Sequence, residues 1–451
     1  MQVKPFVQIA DHLAQRIASG ELPLGTRLPP QRRFAVEEGI AVSTASRVYE
    51  ELKRRGLVSG EVGRGTYVCN RFAPLAPSVQ EPATAGIDLE IMFRLGPEAR
   101  EAIASSTRRF FAQHLSPAAF APPSLRFGRS VRAALARMTS VGEYAPDPEN
   151  LLLAGNGKQA IAAAFSALAV RGGRIAVESL TYPFAISAAR MLGIELVPLA
   201  VDDEGVVPRA LQDAAARGLD GVYLQPTLQS PLVRTMSAQR RSRIAELLED
   251  LNLVAIEDRV YGFLRPATPL ACYALDRVIQ VDSLSKRLMP GISLGLIIAP
   301  ERLKEPVAAA VQRGGWMAPS LSAALAEFWI EEGVVASVEE MKRREAEEMF
   351  SIAAEAFQGL DYHSAPEALH AWLELPSGWR AEAFTAACAE LGIAVAPGRA
   401  FAVTEGVAPS GVRIAYSAPD VPTWTFAIQE VARLANQPPP ASSHPVLSPS
   451  R

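Results

Sequence analysis

The sequence predicts an α/β chain in two unequal parts: a small helical unit with a short β-hairpin, then a large domain built on a mostly parallel sheet. Three observations predict it. Apolar residues near the start recur at helical spacing and give way to two short β-type runs. From about Leu89 onward, strand-like and helix-like runs alternate for more than 300 residues. A proline-rich stretch without apolar period lies between the two patterns. The 451 residues leave room for two or three domains with a large core.

In the first unit, Phe6, Ile9, Leu13 and Ile17 mark a helix that Gly20 stops. After the loop ELPLGTRLP, Pro30 suits the first turn of a short second helix, which Gly39 ends. Ser43 or Thr44 can cap a third helix, with Ala45, Val48, Tyr49 and Leu52 on its inner face and Gly56 as its stop. β-type runs at 57–59 and 66–68, joined by EVGRG, complete three helices and a two-stranded wing. That is the pattern of a winged helix-turn-helix, assigned to residues 1–70. The segment RFAPLAPSVQEPATAG reads as a linker at 71–87, the α/β domain spans 88–435, and QPPPASSHPVLSPSR gives a disordered tail within 436–451.

Charge separates the same two parts. The chain carries a net charge of -3, yet residues 1–71 hold 11 Lys and Arg against 7 Asp and Glu, a balance of +4 that leaves -7 for the rest. The basic end fits DNA and the acidic remainder does not. Arg32 and Arg33 open the second helix, Ser43, Thr44, Ser46 and Arg47 lie on the outer side of the third, and Arg64 tips the wing. Arginines of this kind bind phosphate, while side chains on a recognition helix meet base edges. The three cysteines, Cys69, Cys272 and Cys388, are scattered, an odd number, and without metal-ligand spacing, which fits a reducing cytoplasm. The N-terminal segment carries Asp11 and Arg16 and lacks a signal peptide's apolar core. No stretch approaches the roughly 18 apolar residues that span a bilayer.

In an open parallel sheet, ligands sit beyond the carboxyl ends of the strands, so the residues just after each apolar run carry the information. The run at 151–153 leads to AGNGKQ and a helix whose free N–H groups suit a phosphate. The run at 174–177 leads to Glu178 and Tyr182, and the run at 221–224 to QPTLQSPLV. The run at 253–256 leads to Asp258 and Tyr261, and the run at 278–281 to Ser283, Ser285 and Lys286. One edge thereby presents a phosphate cup, an aromatic ring, a carboxylate, a phenol, two hydroxyls and an amine.

These groups meet the needs of pyridoxal 5′-phosphate, whose aldehyde condenses with a lysine amine and whose ring is an electron sink. Lys286 is then the Schiff-base lysine, and Asp258 keeps the pyridine nitrogen protonated. Tyr261 hydrogen-bonds the ring O3′ and Tyr182 stacks on the ring face. Ser283 and Ser285, with the N–H groups near Gly157 and Lys158, hold the phosphate.

The motifs DSLSKRLMPGISLG, EDRVY, ESLTYP, GNGKQA and GVRIAYS resemble, in their order, those of fold type I, class I aminotransferases. The stretch from ELPLGTRLPPQRRF to VGRGTYV resembles the GntR winged helix, and the whole, over about residues 5–435, resembles the MocR subfamily of GntR regulators. The resemblance implies a fold type I domain with a smaller C-terminal α+β subdomain, and a substrate carboxylate gripped by Arg413. It also implies a homodimer with its sites at the subunit interface.

Three departures stand out. Where the family has an asparagine against O3′, this chain has Gln229, Ser230, Pro231, Leu232 and Val233, leaving Ser230 as the cofactor contact of that loop. Seven residues past the lysine, where an arginine usually meets the phosphate, stands Ser293, with Arg287 and Lys158 as candidate replacements. SPAAFAPPSLRFG replaces a tyrosine-containing stretch near residue 120. The leading expectation is a cytoplasmic regulator that binds DNA and senses an amine or amino acid through pyridoxal phosphate. The alternatives are a working aminotransferase with an accessory DNA-binding domain, and a DNA-binding protein whose enzyme-like domain serves only for dimerisation.

Overall fold

The computed structural model describes residues 5–18, 21–22, 26–55, 57–61, 65–68, 86–125, 127–404 and 408–438. Gly20, Gly56, Arg64, Cys69, most of the expected linker and most of the expected tail lie outside the described residues.

The N-terminal unit has helices α1 (Pro5–Ala18), α2 (Gln31–Glu37) and α3 (Val42–Arg54) and strands β1 (Arg27–Leu28), β2 (Val58–Glu61) and β3 (Gly65–Val68). The expected inner face of α3 is buried with Leu13, Leu28 and Phe34. Phe34 meets Tyr49 edge to face at 5.2 Å, and the Tyr49 hydroxyl donates to the Pro29 carbonyl at 2.6 Å. Gly39 ends α2 at φ +64, a conformation that favours glycine. Two expectations are corrected. Neither Ser43 nor Thr44 caps α3. Ala41 is its N-cap, in extended backbone, and its carbonyl accepts from the N–H groups of Thr44 and Ala45. The loop ELPLGTRLP also supplies β1, so the wing is a three-stranded sheet in the order β1-β3-β2.

Beyond β4 (Ile87–Leu89), the large domain is built on β5 (Leu151–Ala154), β6 (Arg174–Glu178) and β7 (Glu195–Leu199). After a hairpin of β8 (Val201–Asp202) and β9 (Gly205–Val206) come β10 (Gly221–Leu224), β11 (Ala255–Asp258), β12 (Val278–Ser283) and β13 (Gly295–Ile298). The sheet order is β5-β13-β12-β11-β10-β6-β7, and only β13 runs against its neighbours. Every residue of β5, β10, β11, β12 and β13 is buried, because helices cover both faces. Strands covered on both sides read as unbroken apolar runs rather than alternating ones. β11 and β12 each run two residues further than their apolar runs, adding Glu257 and Asp258 to one and Asp282 and Ser283 to the other.

A second sheet follows, from β14 (Tyr362–His363), β15 (His370–Glu374), β16 (Ile393–Pro397) and β17 (Gly411–Ala415), in the order β14-β15-β17-β16-β4. Helices Val334–Ala356, Ala381–Glu390 and Val421–Ala435 cover it around Trp379, Phe384 and Trp424. The smaller α+β subdomain is therefore closed by β4 from the other end of the domain, in parallel with β16. Among the described residues no helix is long and apolar enough to cross a membrane.

Leu52 is fully buried at the centre of the N-terminal unit. Leu52→Ala is expected to destabilise that unit by about 2–5 kcal/mol. Calorimetry should show an unfolding transition at lower temperature, with DNA retention lost together with it.

Candidate functional site

The carboxyl ends of β6, β10, β11 and β12 bring the expected residues to one edge of the large sheet. Asp258, the last residue of β11, is buried and held from two sides. Its Oδ2 accepts from the Tyr223 hydroxyl at 2.6 Å and from Gln225 Nε2 at 3.2 Å, and its Oδ1 accepts from the Val260 N–H at 3.1 Å. Burial pushes its carboxyl up to about 6, against the pull of the Tyr223 hydrogen bond. Held by neutral donors and turned to the site edge, it suits a cationic ring N–H.

Lys286 sits on the short helix Leu284–Arg287 directly after β12. The residue is part-exposed but its amine is enclosed, and it donates to the Met92 carbonyl at 2.7 Å. Burial above all, then the nearby charges of Arg413, Lys342 and Lys158, brings the amine down to about 7. A lysine tuned this way is a usable nucleophile near neutral pH.

Ser283 caps the same short helix, and its Oγ lies 2.6 Å from Ser285 Oγ. Across from it begins the helix Gly157–Leu168, capped by Asn156, whose side chain accepts from the Gln159 N–H at 2.9 Å. The N–H groups of Gly157 and Lys158 are left at the open helix end, where the dipole is positive. The cup is tight: a Cβ on Gly157 would lie 3.0 Å from Ser283 Cβ, and one on Gly295 would lie 2.3 Å from the Asn156 carbonyl oxygen. The Lys158 amine is lowered by burial and lies over the Phe184 ring at 5.6 Å.

Tyr261 is buried, its hydroxyl donates to Met92 Sδ at 3.2 Å, and burial pushes its phenol up. Tyr182 ends the loop after β6; burial, and next the Asp258 charge, raise its phenol. Arg413, in the middle of β17, is buried over the Phe401 ring at 4.7 Å. It donates from Nη1 to Ser230 Oγ at 3.2 Å and from Nη2 to the Glu90 carbonyl, while its Nε has no partner among the described residues. Its hydrogen bonds reach a hydroxyl and a carbonyl and no carboxylate, which leaves a fork suited to a ligand carboxylate.

Two expectations about the departures change. Arg287 is not a phosphate contact: it pairs with Asp282 at 2.7 Å and with Glu339, buried under the site. Lys158 is the remaining candidate. Ser293 donates from Oγ to the Gly155 carbonyl at 2.8 Å, so it ties down the phosphate cup rather than leaving a gap. Gln229 turns to the backbone, donating to the Leu180 carbonyl at 2.6 Å and accepting from the Leu232 N–H at 3.0 Å.

Sequence alone assigns no role to several residues of the site, although Glu178 opens ESLTYP and Gln225 opens QPTLQSPLV. Tyr223 and Gln225 hold Asp258, and Met92 meets both Lys286 and Tyr261. Glu178 is buried, accepts from the Gln225 N–H at 2.9 Å and is pushed up to about 8 by burial. His370 lies 5.7 Å from the Tyr261 ring, and burial pushes it down to about 3, so it is neutral. Met92, Tyr223 and His370 belong to no such motif: the first lies three residues past β4, the second inside β10 and the third at the start of β15. No cluster of three or more potential metal ligands occurs among the described residues.

In the N-terminal unit, Arg32, Arg33, Ser43 and Arg47 are exposed, and Thr44 and Ser46 half-buried. Arg33 pairs with Glu37 at 2.6 Å, and the Arg47 guanidinium lies over the Phe6 ring at 5.8 Å. With Ala41 as the cap, the hydroxyls of the first turn of α3 remain available to a ligand.

Comparison with known proteins agrees with this geometry. The family described as aminotransferase class I and II matches residues 102–429, and the gntR family of bacterial regulatory proteins matches residues 5–68. The chain is 28% identical to the HTH-type transcriptional regulator YdeF of Bacillus subtilis over 424 residues, covering 92% of this chain and 91% of that protein. It is 24% identical to the HTH-type pyridoxine biosynthesis transcriptional regulator PdxR of Corynebacterium glutamicum over 304 residues, 65% of each chain. The fold is similar to that of LysN, an α-aminoadipate aminotransferase of Thermus thermophilus, with a TM-score of 0.70 at 22% identity, covering 81% of this chain and 95% of that one. The chain belongs to the aminotransferase class I and II family and carries a gntR-family domain before it, the domain pair of the MocR regulators; it is a transcription regulator whose aminotransferase fold implies pyridoxal 5′-phosphate.

Proposed function

We propose that this regulator senses an amine or amino acid at the edge formed by Asp258, Lys286 and Arg413, and that occupancy there changes how its winged helices engage DNA. One observation carries the proposal: the buried Lys286 amine and Arg413 guanidinium, side by side, donate to carbonyl and hydroxyl groups rather than to carboxylates. Two such cations are suited to an aldehyde and an acid that the chain itself does not supply.

Pyridoxal phosphate, when bound, supplies an aldehyde that an amine can attack and a ring that accepts electrons. The chain supplies the rest. Lys286 is the nucleophilic amine, substantially unprotonated above pH about 7. Asp258 would meet the ring nitrogen, Tyr261 and Ser230 the ring hydroxyl, and Tyr182 the ring face. Ser283, Ser285, Gly157 and Lys158 are assigned to the phosphate, and Arg413 to a ligand carboxylate. The ligand can shift the DNA-binding equilibrium only by binding two states of the protein unequally.

The regulator is further proposed to act in the cytoplasm as a homodimer through the aminotransferase-like domain, residues 88–435. Phe120 and Leu321 leave apolar surface on adjoining elements, which supports a second copy there. Two winged helices, each within residues 1–70, then match a two-half-site operator. A second function, turnover as an aminotransferase, is favoured by the Lys286 amine near 7, which suits a proton-transfer base. Conversion of an amino donor and a keto acid by the full chain decides that point.

Lys286→Ala is expected to remove the visible absorbance of lysine-bound pyridoxal phosphate and to leave basal DNA binding intact. Persistence of that absorbance in the variant would sink the assignment. Gly295→Ala, by pushing on the Asn156 carbonyl, is expected to weaken cofactor affinity by about 1–3 kcal/mol. Titration of the cofactor by absorbance, with circular dichroism to check folding, measures this.

DNA affinity is expected to fall steeply with salt, through Arg32, Arg33, Arg47 and Arg64. Arg47→Ala should cost about 1–3 kcal/mol and relax sequence preference, while Arg64→Ala weakens all sequences alike. Salt titrations of selected and random DNA distinguish the two. Equal operator binding by a protein lacking the first 87 residues would contradict the assignment.

A further inference from the structure

Three groups of the site, on Arg413, Lys286 and Tyr261, donate to one short piece of chain. Residues 86–94 follow directly on the stretch that joins the two domains, and begin with β4 paired to β16. Past β4 the chain crosses the site. The Glu90 carbonyl accepts from Arg413 Nη2, the Met92 carbonyl accepts from Lys286 Nζ at 2.7 Å, and Met92 Sδ accepts from the Tyr261 hydroxyl at 3.2 Å. Met92 is 4% exposed, so these contacts are made inside the protein. The crossing is otherwise shaped by local bonds: the N–H groups of Glu90 and Ile91 donate to Asp88 Oδ1 at 2.8 and 3.3 Å, and that of Phe93 to the Ile91 carbonyl at 2.8 Å.

A carboxylate is a stronger partner for a guanidinium than a backbone carbonyl, because it adds an opposite charge and can accept both N–H groups of the fork. A lysine nitrogen engaged with the cofactor also no longer offers an ammonium to Met92. Occupancy of the site therefore competes with the contacts that hold this segment down.

We infer that residues 88–94 form a strap whose Glu90 carbonyl occupies Arg413 until an effector's carboxylate displaces it, and that this displacement relays occupancy to the DNA-binding domain. The inference rests on the sensing function proposed above. The strap is placed for it: it is at once the roof of the site and the first described segment after the interdomain stretch. The Asp88 carbonyl, which accepts from Ser417 Oγ at 2.5 Å, marks the anchored end about which the remainder turns.

The test uses the full chain and two probes, pyridoxal phosphate alone and N-(5′-phosphopyridoxyl)-glycine, the smallest conjugate that adds a carboxylate beside the cofactor. Hydrogen exchange is followed in the peptide covering 86–96, and affinity for a selected DNA is measured in parallel. The expected result is exchange that rises severalfold with the conjugate and clearly less with pyridoxal phosphate alone, which frees only the Met92 carbonyl, alongside a change in DNA affinity of about fivefold or more with the conjugate. Met92→Ala, which removes the thioether contact and the packing of that side chain against Tyr261 and its neighbours but keeps the backbone carbonyls, should raise exchange in the same peptide without any probe. If the conjugate changes DNA affinity while exchange at 86–96 stays put, sensing stands and the strap is not its relay. If exchange rises but DNA affinity is unmoved, the sensing function fails and takes the relay with it. Failure of the conjugate to bind overturns both.

Discussion

Two buried cationic side chains that donate to carbonyl and hydroxyl oxygens, and to no carboxylate, govern this molecule. Lys286 and Arg413 are enclosed near one another, each donates to a backbone carbonyl, and burial lowers the affinity of both for their protons. An uncompensated buried charge is costly, so the lysine amine is brought down to about 7 rather than kept as a permanent ammonium. Reactivity, anion binding and the fit to pyridoxal phosphate all follow from this. The two neighbouring acids differ. Glu178, pushed up to about 8, is largely protonated near neutral pH, whereas Asp258, pushed up to about 6, remains mostly ionised and suits a cationic ring N–H.

The large sheet was legible because its strands are buried on both faces and read as apolar runs, with Asp258 and Lys286 immediately after two of them. The spacing of Asp258, Tyr261, Ser283 and Ser285 placed those residues correctly on strand ends and first turns. What escaped was set by contacts distant in sequence. Met92 meets Lys286 across 194 positions, a pairing that no local period encodes. Arg287 looked free to hold a phosphate, yet Glu339, 52 residues on, and Asp282 claim it. β4 joins the sheet of β14 to β17 only because the chain returns to its own start, and β1 is too short to carry an alternating pattern.

Where the chain departs from the aminotransferase motifs, the replacements have work of their own. Ser293 ties Gly155 beneath the phosphate cup, and Ser230 accepts from Arg413. The side chain of Gln229 shapes its own loop by bonding to backbone. Lys286, Asp258 and Tyr261 keep the family's order along the chain while polar groups around them are redirected inward. This distribution suits a site that holds cofactor and ligand for the sake of a change in shape. The N-terminal unit shows a matching economy, since Ala41 caps α3 with its backbone alone and leaves Ser43 and Thr44 to face outward or to the rim.

The central claim is that the Lys286 amine is held near neutrality by burial beside Arg413. The pH dependence of pyridoxal phosphate capture by the cofactor-free full chain, followed by absorbance, tests it most directly. Because the folded amine is lowered from the usual lysine value, the unprotonated, reactive form should accumulate as pH rises through about 7 and capture should level off above it. Capture that keeps climbing toward the ordinary lysine range, about pH 10, would show a solvated ammonium and contradict the account.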